Sequence, residues 1–277
     1  KSFVEKTDRN DFFSWLDKNR QKTEFIVHIG ARTDTAENDK RVFDRLNLGY
    51  SKQVWTYCVK YDIPLIYASS AATYGMGEFG FDDNHDIIKK LIPLNLYGES
   101  KNDFDKWVLE QDAVPPFWAG FKFFNVYGPN EYHKNRMASV VFHTYNQIKE
   151  TGKMKLFRSH NINYKDGEQR RDFIYVKDIM DVLFYFMNHK KDSGIFNLGT
   201  GTSRTFFELA ASVFTAMGKK NVFDFIDTPA DIRDNYQYFT EARMSKLRTA
   251  GYSHEFTTLE SGIKEYIMDY LSYIKYS

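Results

Sequence analysis

Short apolar runs alternate along the chain with segments in which apolar residues recur every three or four positions. "EFIVHIGA" (24–31) ends in Gly-Ala and reads as a buried parallel strand. The segment 43–63 has helical spacing at Leu46, Tyr50, Val54, Tyr57 and Cys58. "IPLIYASS" (63–70) predicts a second buried strand. A helix follows around Tyr97, with Phe104, Trp107 and Val108 on one face. "FWAGFKFFNVYG" (117–128) predicts a third strand and "GIFNLGTG" (194–201) a later, shorter one. Beyond Gly128 the pattern loosens into polar loops, a helix at 137–150 and a helical C-terminus. Strands alternating with helices predict βαβ units with right-handed crossovers, hence an α/β fold with a doubly wound parallel sheet. A smaller lobe is interleaved with it: 1–126 and 170–202 form the sheet domain, 127–169 and 203–277 the second lobe. No Gly-rich turn of the G-x-x-G-x-x-G kind precedes a helix, although such sheets use one to bring backbone against a pyrophosphate. "GTGTSR" (199–204) sits late and reads as a loop after a strand. The first βα unit is therefore expected to be missing from the given chain.

Composition narrows the function. With 277 residues, 42% hydrophobic and 27% charged, the chain is globular. A net charge of +1 gives no bulk attraction to nucleic acid or to an anionic membrane. No apolar run approaches the ~20 residues that span a bilayer. The charged start, "KSFVEKTDRNDFF", lacks a signal cleavage site. The single cysteine, Cys58, allows neither an internal disulfide nor a thiolate metal cluster, so no metal site is expected and a reducing cytoplasm fits. Aromatics reach 17%, expected mostly in the core and in contacts between subunits.

The candidate chemistry starts at "PLNLYGESK" (93–101). On a helix, Tyr97 and Lys101 share one face at i and i+4. An ammonium near a phenol favours the phenolate and lowers a pKa normally near ~10 toward that of a usable general base. In "YASSAATYG" (67–75), Ser70 lies just past a strand end, where open parallel sheets bind ligands. A serine hydroxyl there can hold a substrate hydroxyl while the tyrosinate takes its proton. Ser, Tyr and Lys in this order resemble the catalytic set of the short-chain dehydrogenase/reductases.

A closer resemblance is carried by "YASSAATYG", "FNVYGPNEYHKNRMASV", "RRDFIYVKD", "GIFNLGTG" and "YQYFTEARMSKLRTAGY". These segments resemble the ADP-glyceromanno-heptose 6-epimerases, nucleotide-sugar epimerases of lipopolysaccharide inner-core synthesis. The resemblance implies Tyr97 as general base, Lys101 as its electrostatic partner and a nicotinamide-ribose ligand, and Ser70 on the reacting hydroxyl. It implies Lys134 as a second acid/base on the far side of the sugar. Asn125 and Val126 would touch substrate, His143 and Phe157 would line the sugar-nucleotide site, Arg171 would grip the diphosphate, and Tyr236 would close over it. Gly30, Ala31 and Asn47 would border the cofactor, NADP or else NAD. A homo-oligomer, commonly a pentamer, is implied as well. Two departures stand out: Asn135 and Arg136 replace a Gly-Ser pair frequent in the family, and "KDGEQR" (165–170) lengthens the loop before Arg171.

The implied reaction inverts C6 of an ADP-linked heptose. That carbon is not acidic, so transient oxidation to a 6-keto sugar replaces direct proton abstraction. A 4,6-dehydratase would need an Asp-Glu pair where this chain has Ala71 and Ala72. A hexose 4-epimerase shares Ser70, Tyr97 and Lys101, and a non-enzymatic dinucleotide sensor would fit the absent Gly-rich turn. Plainer readings stand elsewhere: Asp178 as a helix N-cap, His28 in a strand-end hydrogen bond, His133, Lys134 and Arg170 as solvated side chains.

Overall fold

The computed structural model describes residues 5–233 and 236–272. Its strands are β1 (Ile26–His28), β2 (Leu65–Ser70), β3 (Trp118–Phe123), β4 (Asn125–Tyr127), β5 (Met154–Phe157), β6 (Arg170–Tyr175), β7 (Gly194–Leu198), β8 (Ser203–Thr205) and β9 (Phe223–Ile226). The main helices are α1 (Phe12–Asn19), α2 (Tyr50–Lys60), α3 (Leu96–Leu109), α4 (Val140–Thr151), α5 (Val176–Asn188), α6 (Phe206–Ala216) and α7 (Leu259–Glu265). The main sheet has the order β1-β2-β3-β7, all parallel.

Alternation along the strands sends side chains to two helical layers. Leu65, Tyr67 and Trp118 pack with Val54 and Cys58 of α2 and Phe104 and Val108 of α3. Ile66, Ala119, Phe121 and Phe196 pack on the other face with Ile179, Val182 and Phe186 of α5. Both faces are covered, which is why these strands read as continuous apolar runs. Smaller sheets, β4-β6-β8 and β5-β9, pack with α4, α6 and α7 around Tyr127, Val141, Leu156, Phe173, Val213 and Ile263. Among the described residues no helix is long and apolar enough to cross a membrane. Cys58 is buried and free, its thiol pushed up to about 12 by burial.

Three expectations are corrected. The strand predicted over 117–128 is two strands. Phe124 N–H still donates to Leu198 O (3.1 Å), but Asn125–Tyr127 pairs in parallel with Phe173–Tyr175 of β6, because β2 has ended at Ser70 and offers no further partner. Asp178 is not the N-cap of α5; Tyr175 holds that position, and the Asp178 carboxylate accepts from Thr257 N (2.9 Å) and Oγ1 (2.7 Å). Arg170 is half-buried rather than solvated, donating to Ser203 Oγ (3.1 Å) and O (2.6 Å). His28 does make a hydrogen bond at its strand end, to Ser51 Oγ at 2.9 Å.

One fully buried ion pair lies between sheet and helix. Lys122 Nζ of β3 sits 2.6 Å from Asp105 Oδ2 of α3, both side chains 0% exposed. Removing one partner of such a pair strands the other charge at a cost of about 3–5 kcal/mol. Lys122→Met is therefore expected to lower stability by about that amount. Urea unfolding with a lower midpoint and an unchanged slope would show it; an unchanged midpoint would mean that the charge of Asp105 is compensated elsewhere.

Candidate active site

The C-terminal ends of β1, β2 and β3 open into a cavity of about 890 Å³. Its walls are the loop after β1 (Ile29–Thr35), Ser69 and Ser70, Tyr97 and Lys101 from α3, residues 123–127, and a segment running from Glu131 to Val141. This is where open parallel sheets bind ligands.

Ser70 and Tyr97 meet because α3 runs close to the turn after β2. Asn95 caps α3 by accepting from Gly98 N at 2.8 Å. A Cβ at Gly98 would lie 2.8 Å from Ala72 O, so only glycine permits this approach. The Tyr97 ring is half-buried; burial raises its pKa above the usual phenol value, and a hydrogen bond with the Ser70 side chain pulls it down. Lys101 is 5% exposed, and its Nζ donates to Ala68 O at 2.8 Å. Burial lowers its pKa to about 8, with the Asp105 carboxylate opposing. The Lys101 ammonium thus donates to the Ala68 carbonyl, and burial outweighs the Ser70 hydrogen bond in setting the direction of the Tyr97 shift, so shared spacing alone does not lower the phenol.

A buried network stands behind these residues. Asp105 accepts from Tyr67 OH (3.2 Å), Ser69 Oγ (2.6 Å) and Lys122 Nζ (2.6 Å), and Lys122 also donates to Thr73 Oγ1 (2.7 Å). Sequence reasoning passed over Asp105, although 97, 101 and 105 follow one helix face.

Gly30 and Ala31 line the cavity. A Cβ at Gly30 would meet nothing within 4 Å. Asn47 supports their loop from behind: its Oδ1 accepts from Arg32 N (2.8 Å), and its Nδ2 donates to Arg32 O (3.0 Å) and Ser100 Oγ (2.9 Å). The donors fit a dinucleotide: an ammonium carries three protons, and Lys101 gives one to Ala68, leaving two at the cavity wall for ribose hydroxyls.

Asn125, Val126 and Lys134 border the same cavity. Lys134 is exposed in a 3₁₀ segment, Tyr132–Met137, where Asn135 has φ 48°. With ψ −127° Asn135 lies outside the left-handed helical region that Asn tolerates, in a conformation glycine adopts freely and Asn only under strain. Arg136 pairs with Asp34 of the opposite wall. Phe157, Arg171 and Tyr236 form a second group. Phe157 and Tyr236 rings stand 6.0 Å apart edge to face, and the Arg171 guanidinium lies 5.7 Å from the Tyr236 centroid. Arg171 donates to Arg170 O (2.8 Å) and to Gln237 O, and Gln237 donates to Gly75 O beyond the Ser70 turn. The 165–170 stretch ends inside β6, with Gln169 Nε2 on Phe157 O (3.3 Å). His143, on the exposed face of α4, joins neither group.

Residues 3–199 match the NAD dependent epimerase/dehydratase family. The chain is 45% identical, over 95% of its length and 85% of the relative's, to the ADP-L-glycero-D-manno-heptose-6-epimerase of Fusobacterium nucleatum. The crystal structure of the Helicobacter pylori ADP-L-glycero-D-manno-heptose-6-epimerase superposes with a TM-score of 0.75 at 27% identity, covering 97% of this chain and 78% of that one. The Thermus thermophilus UDP-glucose 4-epimerase in complex with NAD shares the fold, with a TM-score of 0.75 at 20% identity over 97% and 84% of the two chains.

The lowered pKa of Lys101 predicts a pH dependence. Below about 8 the ammonium is present, and above it the proton is lost. A dinucleotide that uses this charge is therefore expected to bind more weakly as pH rises through about 8, by at most about tenfold per pH unit. Lys101→Met should bind more weakly and flatten the profile. Calorimetric titration across that range checks it, and a profile unchanged by the substitution would separate Lys101 from dinucleotide binding.

Proposed function

The chain belongs to the NAD dependent epimerase/dehydratase family, among its ADP-L-glycero-D-manno-heptose-6-epimerases, and from that premise we propose how its cleft inverts C6 of an ADP-linked heptose. The enzyme is an isomerase working with a nicotinamide dinucleotide, for which we propose NADP rather than NAD on the resemblance noted above. A cytoplasmic homo-oligomer, with the dinucleotide on the lobe 1–126 and 170–202 and the sugar nucleotide toward 127–169 and 203–277, completes the proposal.

The observation that carries the reading is that Ser70, Tyr97, Lys101 and Lys134 line one cavity at the strand ends. Gly30, Ala31 and Lys101 would hold the nicotinamide end of the dinucleotide, with Asn47 bracing the loop. The bound nicotinamide supplies a hydride acceptor and donor, which lets C6 pass through a ketone with no net redox change. Ser70 holds the C6 hydroxyl, and Tyr97 takes its proton. The raised pKa of Tyr97 keeps the phenol protonated at neutral pH, so the base form needs the Ser70 hydrogen bond and the Lys101 charge together. Arg171 would meet the diphosphate, its planar donors suiting two phosphate oxygens, while Phe157 and Tyr236 wall the nucleotide side. Asn125 and Val126 would contact the sugar between the two groups, while His143, exposed on α4, is left outside this arrangement.

Inversion needs a second proton site. The sugar must present its opposite face to the same hydride, which carries the C6 oxygen away from Tyr97. A donor is then required within about 2.6–3.2 Å of the relocated oxygen. Lys134 is the proposed donor, since it lines the same cavity as Ser70 and Tyr97.

Tyr97→Phe keeps a ring in place and removes the hydroxyl. It is expected to fold normally and to lose about 10²–10⁴-fold in turnover. Near-normal turnover in the folded variant would remove Tyr97 from the chemistry. Lys134→Met is expected to bind ADP-heptose and to reduce its nicotinamide with one epimer, while interconversion of the two epimers falls by orders of magnitude. Absorbance of the reduced nicotinamide reports the first step and chromatography of the sugars the second. Interconversion at the wild-type rate would leave Tyr97 serving both faces.

A further inference from the structure

Lys134 sits on an exposed turn, yet an acid/base group must be held within a fraction of an ångström of its target. Tyr132, His133, Lys134, Asn135 and Arg136 are all exposed, so apolar packing does little to fix the turn. The Arg136–Asp34 pair tethers it from outside, but both partners reach solvent and salt screens such pairs.

The residue just before the turn is different. Glu131 is 5% exposed and lines the cavity wall. Its Oε2 accepts from Ser139 N at 2.6 Å, and its Oε1 accepts from Ser139 Oγ at 2.6 Å and from Tyr266 OH at 3.0 Å. No cation pairs with it among the described residues. A buried carboxylate without a counter-ion persists only if hydrogen bonds satisfy it, so these three donors specify where it sits. Ser139 is the N-cap of α4, accepting from Phe142 N at 3.2 Å, and Tyr266 is fully buried at the start of the turn that follows α7. The carboxylate thus fastens the turn to two separate elements. From there the path to Lys134 is one bond: Glu131 O accepts Lys134 N–H at 3.0 Å, and Asn135 O accepts Ala138 N–H at 3.0 Å to close the far end.

We propose that Glu131 is the positioning residue for Lys134, a buried anionic clasp that aims the second proton donor into the cleft. The proposal rests on the reading of Lys134 given above. Glu131 acts through the turn rather than on the sugar, so its loss should impair the step that uses Lys134 and spare the one that uses Tyr97.

Glu131→Gln tests this in the holoenzyme. The amide keeps the shape but removes the charge, and with its oxygen on Ser139 N its NH₂ faces two hydroxyls that must reverse to accept, so the charge-assisted contacts are weakened. Epimer interconversion should fall on the order of 10²-fold. Nicotinamide reduction by the epimer that Lys134→Met still oxidises should stay close to wild type, and the double variant should interconvert no more slowly than Lys134→Met alone. Equal losses in both measurements, or losses that multiply in the double variant, would show a purely structural role and overturn the proposal. If Glu131→Gln does not melt cooperatively, Ser139→Ala, which removes one donor and keeps the backbone one, is read by the same ratio and should show a smaller selective loss. Wild-type interconversion by Lys134→Met would sink the underlying reading, whereas its loss in Lys134→Met with full retention in folded Glu131→Gln would sink only the clasp.

Discussion

The carboxylate of Asp105 is the point on which the cleft depends. It lies on α3 with no exposure and takes hydrogen bonds from Tyr67 and Ser69 of β2 and from Lys122 of β3. An ionised carboxylate in a dry interior is tolerable only when its donors are all in place, so this set admits one rotation of α3 against the sheet. That rotation decides the site. Tyr97 and Lys101 lie two turns and one turn before Asp105 on the same face, and Ser70 follows Ser69 directly. Through Thr73 the same network reaches the turn after β2, where Gly98 lets the helix come close.

Electrostatics in the cleft follow from that packing. Burial pushes the Lys101 proton off, Asp105 one turn away holds it on, and the balance falls at about 8. His28, at the end of β1, is driven down to about 3, first by burial and then by the Lys101 charge. It stays neutral at physiological pH and bonds Ser51, so of the two groups only Lys101 carries charge. A second cation there would weaken the Lys101 proton further. Lys101, Tyr97 and Ser70 thus bring a cation, a phenol and a hydroxyl to one cavity.

Much of this was legible in the sequence where the cause is local. Strands buried on both faces must be apolar throughout, so β2, β3 and β7 were visible as runs, and the order of Ser70, Tyr97 and Lys101 was visible because helix spacing and strand end place them. What escaped depends on distant partners. Nothing in "FKFFNVYG" marks the break at Phe124, since it arises from β6 pairing about fifty residues later. Spacing says that Tyr97 and Lys101 share a face, but not that Ala68 O, 33 residues away, captures the ammonium. Asp178 looks the same in sequence whether it caps its helix or holds Thr257, 79 residues on. Arg171, Phe157 and Tyr236 had no signal of their own beyond the resemblance, and they meet only because the strands β5 and β6 and the 236–240 segment converge.

An inverting site has a requirement that a simple dehydrogenase lacks: its substrate must turn over between two half-reactions without leaving. The two walls of the cleft differ accordingly. The Ser70–Tyr97–Lys101 wall is built into the sheet and backed by buried charge, so it cannot shift without exposing Asp105 or Lys122. The facing wall is a turn of exposed polar side chains with a strained residue, Asn135, at its centre. Its outer link, Arg136 to Asp34, is worth only about 0–1 kcal/mol in water. Its inner end is held by the buried Glu131. A four-carbon lysine stem on such a turn has reach that a residue fixed in the sheet lacks. The contrast is between a wall built into the sheet on buried charge and a facing wall of exposed side chains anchored at its buried end.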